Sequence, residues 1–111
     1  MISNTSPSLS ALVASSTKLN ETAHNIANSN TKGYQASHTL IEENADNQGV
    51  QARTVRDSSN ISNEAQSQIP SNVDYGTEMV ESISAVHMYT ANLETIKAED
   101  NLVETTLDLM A

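Results

Sequence analysis

The sequence predicts a mainly α-helical protein. Two long terminal helices form an antiparallel coiled-coil pair, with a short, weak β-hairpin and a linker between them. Three observations support this prediction. Both ends carry apolar residues at the three- and four-residue steps of a coiled-coil seam. The middle alternates apolar and polar residues over short runs. Turn and helix-stop residues separate these parts, which gives an N-terminal core helix in 1–33, a hairpin and linker in 34–72, and a C-terminal core helix in 73–111.

The N-terminal segment predicts a helix over residues 9–30. We expect Ser6 to be its N-cap and Pro7 its first helical residue, because these residue types favour those positions. Gly33 is expected to end the helix, since glycine adopts the left-handed conformation without steric cost. The apolar and small residues of the seam are Leu9, Leu12, Ser16, Leu19, Ala23 and Ile26.

The middle segment predicts a β-hairpin followed by a loop. Side chains alternate from Tyr34 to Leu40, a polar turn follows, and a weaker alternation resumes at Val50. Residues 57–68 are almost entirely polar and are expected to form a loop. Because a lone two-stranded hairpin is marginal in water, we expect the middle to be the most mobile part of an isolated chain. Neighbouring copies would then cover its Tyr34–Leu40 face.

The C-terminal segment predicts a helix over residues 75–108, capped by Asn72 or Asp74. At 1.5 Å per residue it measures about 50 Å, against about 33 Å for the N-terminal helix, so it should overhang its partner. Its seam is longer than that of the first helix, and Val80 and Ile83 widen the stripe. The seam residues are Met79, Val86, Tyr89, Leu93, Ile96, Asp100, Val103, Leu107 and Met110.

Charge and composition argue against several classes of partner. The formal net charge is −9, and residues 73–111 alone carry −7. Nucleic-acid phosphates and anionic membrane surfaces are bound by clusters of Lys and Arg, which this chain lacks. No apolar run approaches the roughly 18 residues that span a bilayer, so we expect no membrane insertion. The first residues have neither the basic nor the apolar region of a cleaved secretory signal.

The residues that carry out chemistry in other proteins form no pattern here. His24, His38 and His87 are the only histidines, and no two of them share a helix face at the spacing of metal ligands. There is no Cys and no glycine-rich phosphate loop, so we predict no catalytic residue, no metal and no cofactor. Asn25 and Asn28 leave two interpretations open. They form local caps near a helix end, or they bond adjacent subunits and fix their register.

Several short runs in the two ends carry a family resemblance. They are Asn25-Ile26-Ala27-Asn28, Asn30-Thr31-Lys32-Gly33-Tyr34, Val73-Asp74, Glu78-Met79-Val80, Ala91-Asn92 and Leu107-Asp108-Leu109. Through these runs the chain resembles bacterial flagellar axial proteins of the rod and hook class. It is most similar to a small proximal-rod protein, because its middle segment is short. It departs from the family pattern at Gly76 and at His87-Met88.

The resemblance implies a structural subunit of the basal-body rod, not an enzyme. Such a subunit assembles through its terminal helices into a helical tube. Its partners are copies of itself, other flagellar rod or hook proteins, and the type III export apparatus. It is located in the periplasm-spanning rod and is exported without signal-peptide cleavage. The residues expected to pack between subunits are Leu12, Leu19, Ala23, Asn25, Ile26, Asn28, Met79, Ile83, Val86, Tyr89, Asn92, Leu93, Ile96, Val103 and Leu107.

A second function class is compatible with the same helical period. A small acidic coiled-coil adaptor or chaperone-like binding module would also carry two amphipathic helices. The Asn-Ile-Ala-Asn run favours the rod protein, because an adaptor has no need of it. The two classes also differ in solution. A rod subunit should polymerise or stay partly unfolded, whereas an adaptor should form a small closed oligomer.

Overall fold

The computed structural model describes residues 5–46, 48–57 and 62–111. The elements are α1 (Thr5–Ala27), β1 (Ser37–Glu43), β2 (Val50–Arg56), α2 (Asn63–Gln66) and α3 (Tyr75–Met110). The protein is thus mainly helical, with two long helices and one antiparallel pair of strands, as the sequence predicts.

Helix α1 begins earlier and ends earlier than its sequence predicts. It starts at Thr5, so the prediction of Ser6 as N-cap is wrong, and Pro7 is the third residue of the helix. Proline is tolerated there because the first-turn amides have no intrahelical acceptor. The helix ends at Ala27 rather than at Gly33. Asn28 follows the last helical residue, and its Nδ2 donates to the carbonyl of His24 at 3.0 Å.

Gly33 was predicted to end α1, but its structural role is different. Its φ is +76°, and its amide donates to the carbonyl of Ile69 at 2.8 Å. A Cβ at this position would lie 2.9 Å from the carbonyl oxygen of Gln66. Gly33 therefore allows the chain leaving α1 to pass close to the segment after α2. Residues 57–68 were predicted as loop, but they contain the four-residue helix α2, and residues 58–61 of this prediction lie outside the described residues.

The hairpin forms as predicted, with a different set of residues facing inward. The strands pair from Ser37↔Arg56 to Glu43↔Val50. In β1 the less exposed face carries Ser37, Thr39 and Ile41, whereas His38 and Leu40 point outward. The predicted alternation from Tyr34 placed His38 and Leu40 on one face with Ala36. This is wrong because Ala36 lies before the strand and is buried.

Helix α3 is capped by Asp74, one of the two predicted candidates. Asp74 Oδ1 accepts from the amides of Gly76 at 3.1 Å and Thr77 at 3.4 Å. Asn72 has another role, because its Oδ1 accepts from the amide of Ala36 at 2.7 Å. The cap therefore starts α3 at Tyr75, and the side chain of Asn72 ties the entry of α3 to the hairpin.

The molecule is elongated because α3 is much longer than α1. Its extents are 70 × 27 × 14 Å, and its radius of gyration is 19.1 Å. A compact chain of this length would have a radius of gyration of about 13 Å. All residues from Asn101 to Met110 are exposed, and we call this part of α3 the overhang. The overhang was expected from the two predicted helix lengths.

Candidate assembly surface

Helices α1 and α3 contact each other through small and polar side chains. Ala14, Ser15 and Thr22 of α1 are buried, as are Ala85 and Glu78 of α3. Small residues let two helix backbones approach closely, but they bury little apolar area. The apolar side chains buried in the described chain are three alanines, Ala14, Ala36 and Ala85. Large apolar side chains therefore remain on the surface, where another molecule can reach them.

Two polar contacts define the relative direction of α1 and α3. Asn25, near the end of α1, donates to Glu78 Oε1 in the first turns of α3 at 3.1 Å. Lys18, seven residues earlier in α1, forms an ion pair with Glu81, three residues later in α3. Moving back along α1 thus corresponds to moving forward along α3. The free end of α3 then lies at the end of the molecule where α1 begins.

Asn25 connects three elements through one buried side chain. Its Nδ2 donates to the carbonyl of Ser37 at 2.7 Å as well as to Glu78. Its Oδ1 accepts from the amide of Ser37 at 3.1 Å and from the hydroxyl of Tyr34 at 2.8 Å. A carboxamide has two donor hydrogens and two acceptor lone pairs, so all four are used. Asn25 therefore joins α1 to the hairpin and to α3 within one subunit.

Tyr34 completes this polar cluster. Its ring centroid lies 5.8 Å from that of His24, with the rings tilted by 57°. Burial, and then the charge of Glu21, raise the pKa of Tyr34 above its usual value of 10.0, while Arg56 acts in the opposite direction. The neutral phenol is the form that donates to Asn25, so this environment favours the state that makes the hydrogen bond.

The hairpin packs against α1, on one side of the helix pair. On α1, Ser10 and Thr17 line a groove with Val50 and Ala52 of β2, and Ser10 Oγ accepts from the amide of Val50 at 3.1 Å. On α3, Glu81 and Met88 line a second groove with β1 residues, including Ile41. Both pairs of residues are seven apart. Each pair therefore marks one stripe along its helix, on the side that faces the hairpin.

The opposite side of the helix pair carries the predicted apolar seams. Residues two apart on a helix point in nearly opposite directions, because each residue turns the chain by about 100°. Leu12 and Leu19 follow the hairpin-facing Ser10 and Thr17 by two positions. Met79 and Val86 precede Glu81 and Met88 by two positions. Both seams therefore lie on the side of the pair away from the hairpin. We call this surface the two-helix face, and it consists of Leu12, Leu19, Ile26, Met79, Ile83, Val86 and Leu93.

The two-helix face is apolar and open to solvent. Met79 is 42% exposed, Ile83 55% and Val86 49%. The side chains of Leu12, Leu19, Ile26 and Leu93 are half-buried. An exposed apolar strip along two adjacent helices is unusual on a soluble monomer and is typical of a protein-protein contact.

The remaining residues that were predicted to pack between subunits occupy several places. Val103 and Leu107 lie in the overhang and are exposed, and Tyr89 is 42% exposed. Asn92 and Ile96 are half-buried, and Asn92 Nδ2 donates to the carbonyl of Met88 at 2.8 Å. Ala23 is exposed on α1. Asn28 makes the local bond to His24 and accepts from Thr31 Oγ1 at 3.2 Å. These contacts agree with the first of its two interpretations, a local cap near the helix end.

Sequence reasoning missed the internal polar cluster around Asn25. Glu78 is 2% exposed and Ser37 is 6% exposed, yet neither was singled out for a bond to Asn25. The available signals were weak. Glu78 lies in one of the runs that carry the family resemblance, and a carboxylate in the first turns of a helix is favoured by the helix dipole.

The described residues offer no second kind of site. Within 5–46, 48–57 and 62–111, no three or more acidic or histidine side chains are grouped so that they could hold a metal ion. None of the helices in this part of the chain is both long and apolar enough to cross a bilayer.

Comparison with protein families identifies the class. Residues 8–35 match the model described as flagella basal body rod protein, and residues 70–109 match the model described as flagellar basal body rod FlgEFG protein C-terminal. The matches cover most of α1 and α3 and leave the hairpin and α2 between them. The chain belongs to the rod-class axial proteins of the bacterial flagellar basal body. These families are structural, so the protein is not an enzyme. No match is found among curated proteins.

Proposed function

We propose that the protein is a structural subunit of the basal-body rod, most like a small proximal-rod protein. Its α1 and α3 form an antiparallel coiled-coil pair, and neighbouring subunits pack through these helices into a helical tube. The observation that carries the proposal is the two-helix face. A single chain leaves Met79, Ile83 and Val86 between 42% and 55% exposed on one continuous side. Contact with a neighbour would remove this apolar area from water.

The polar interior fits the same proposal. Because its buried apolar residues are alanines, the isolated subunit gains little hydrophobic stabilisation, and further burial has to come from neighbours. We propose that Asn25 fixes how the hairpin and α3 sit on α1, so that the two-helix face has one shape. Copies of the same chain and other rod or hook proteins are the partners. Export through the type III apparatus without signal cleavage is part of this proposal.

A charge placed on the two-helix face tests the proposal. Val86→Asp introduces a carboxylate on this face, and His87→Asp introduces the same group one position away, on another side of α3. Val86 is already half exposed in the single subunit, so neither variant should prevent folding, and circular dichroism checks this. Burial of an unpaired carboxylate at a contact costs several kcal/mol, so Val86→Asp should lose assembly.

The readouts are sedimenting polymer, tubes seen by electron microscopy, and recovery of the subunit in purified basal bodies. We expect at least a tenfold loss for Val86→Asp and little change for His87→Asp. Equal assembly of both variants would show that the contact lies elsewhere. A small closed oligomer that is indifferent to both variants, with no subunit in basal bodies, would favour the acidic adaptor.

A further inference from the structure

The overhang of α3 carries an apolar stripe that begins beyond Asp100. Leu107 continues the seven-residue spacing of Met79, Val86 and Leu93, so this stripe extends the seam of α3 past the end of α1. Leu102 is 67% exposed, Leu107 62% and Leu109 84%. Val103 and Met110 are exposed as well, and Val103, Leu107 and Met110 follow one another at steps of four and three residues. The other side of the overhang is polar and consists of Asn101, Glu104, Thr105 and Asp108. The last turns of α3 are therefore amphipathic, with both acidic residues away from the stripe.

A complementary groove runs between α1 and β2. Its volume is about 450 Å³, and Leu9, Val13, Ala14, Val50 and Ala52 line much of it. Leu9 is 57% exposed and Val13 62%, so nothing in the described chain fills it. None of its lining residues carries a charge.

We propose that the overhang of one copy docks in the α1–β2 groove of the next copy. The inference rests on the proposed rod function and names a contact within it. The uncharged groove matches the uncharged stripe, while Glu104 and Asp108 on the other side of the overhang remain in water. If the overhang were turned over in the groove, the carboxylates of Glu104 and Asp108 would be buried, which costs free energy. The positions of these two acids therefore determine which side of the overhang faces the groove.

The size and the continuity of α3 also identify a second copy as the occupant. The ten residues of the overhang measure about 15 Å, and the stretch of α1 from Leu9 to Thr17 that lines the groove measures about 14 Å. The overhang cannot reach the groove of its own chain, because α3 is one uninterrupted helix from Tyr75 to Met110. Since each copy offers both a stripe and a groove, the contact joins two different patches and can be repeated from copy to copy.

Cysteine cross-linking tests this contact directly, because the natural chain contains no Cys. Chains carrying Val13→Cys are mixed with chains carrying Leu107→Cys and treated with a short bismaleimide. The matched control replaces Leu107→Cys with Thr105→Cys, which is exposed on the polar side of the same helix. We expect at least tenfold more cross-linked heterodimer with Leu107→Cys than with Thr105→Cys. A single chain carrying both Val13→Cys and Leu107→Cys should give a ladder of linked oligomers.

The outcomes separate this contact from the rod function itself. Equal cross-linking at the two positions, or none within polymers that do form, would overturn the docking contact and leave the rod function standing. If the unaltered chain neither sediments nor enters basal bodies, the proposed function fails. In that case cross-linking without selectivity rejects the contact as well, whereas selective cross-linking upholds it as a contact of a smaller oligomer.

Discussion

Asn25 and Glu78 are 53 residues apart in the chain and are joined by a buried hydrogen bond of 3.1 Å. The bond fastens the end of α1 to the beginning of α3. The same carboxamide holds the backbone of Ser37 at the start of the hairpin through two further bonds. One polar residue thus sets the relative positions of three elements where most domains use a large apolar core.

Replacing Asn25 should therefore destabilise the subunit strongly. Asn25→Ala leaves the Glu78 carboxylate, the Tyr34 hydroxyl and both backbone groups of Ser37 without this partner. Each buried polar group left unsatisfied costs about 1–3 kcal/mol, so we expect a loss of at least about 3 kcal/mol in the free energy of unfolding. Urea unfolding followed by circular dichroism measures it. Asn28→Ala is the control and should cost about 1 kcal/mol or less, since its bonds are local and exposed.

Gly76 and Gly33 should respond in opposite ways to alanine. Gly76 lies in the first turn of α3, where a Cβ would meet Asp74 Oδ1 at an ordinary 3.5 Å. Gly76→Ala should raise the free energy of unfolding by about 0.5–1 kcal/mol, because it restricts the unfolded chain. Gly33→Ala should lower it by more than that, since the backbone is left-handed and the Cβ would crowd Gln66. Thermal melts of the two variants decide the matter. If both substitutions changed the melting temperature in the same direction, this interpretation of the two glycine positions would be wrong.

The raised pKa of Tyr34 predicts a specific loss of stability at high pH. A group whose pKa is higher in the folded state binds its proton more tightly there. Its contribution is full below pH 10.0, the unfolded value, and is lost as the pH rises through the folded value. The free energy of unfolding should fall less steeply above pH 10 in Tyr34→Phe than in the natural chain. Tyrosine absorbance of the natural chain, compared with that of Tyr34→Phe, should show that the Tyr34 phenol ionises above pH 10.0. Parallel pH profiles for both proteins would argue against this.

Hydrogen exchange should rank the parts of an isolated subunit differently from the order that the sequence suggests. The base of the hairpin is buried, with Gln35 at 8% and Ala36 at 1% exposure, so its amides should exchange slowly. The overhang lacks tertiary cover and should exchange fastest among the described elements. Within polymers, protection should extend into residues 103–110. Rapid exchange at 35–37 in a subunit whose α1 and α3 are protected would mean that the hairpin is held only by neighbours.

Local sequence patterns were sufficient to predict the two long helices and to indicate the class of protein. Periodicity is a local property, so the spacing of Met79, Val86 and Leu93 was sufficient to place α3. The sequence offered Asn72 or Asp74 as its cap, and the structure selects Asp74. The family runs lie within the same two helices, and both family matches fall there. The lengths of the helices also fixed the existence of the overhang, because helix rise per residue is nearly constant.

Which side of each helix and strand is buried depends on how these elements pack together. The spacing of apolar residues along a helix does not identify the surface against which they pack. The seam of α3 turned out to lie on the side away from the hairpin, while alanines and polar residues form the contact with α1. The inward face of β1 and the role of Gly33 likewise depended on contacts distant in sequence. For Asn25 the two local interpretations could not be separated, because the partners that use its four hydrogen-bonding positions lie 9 to 53 residues away.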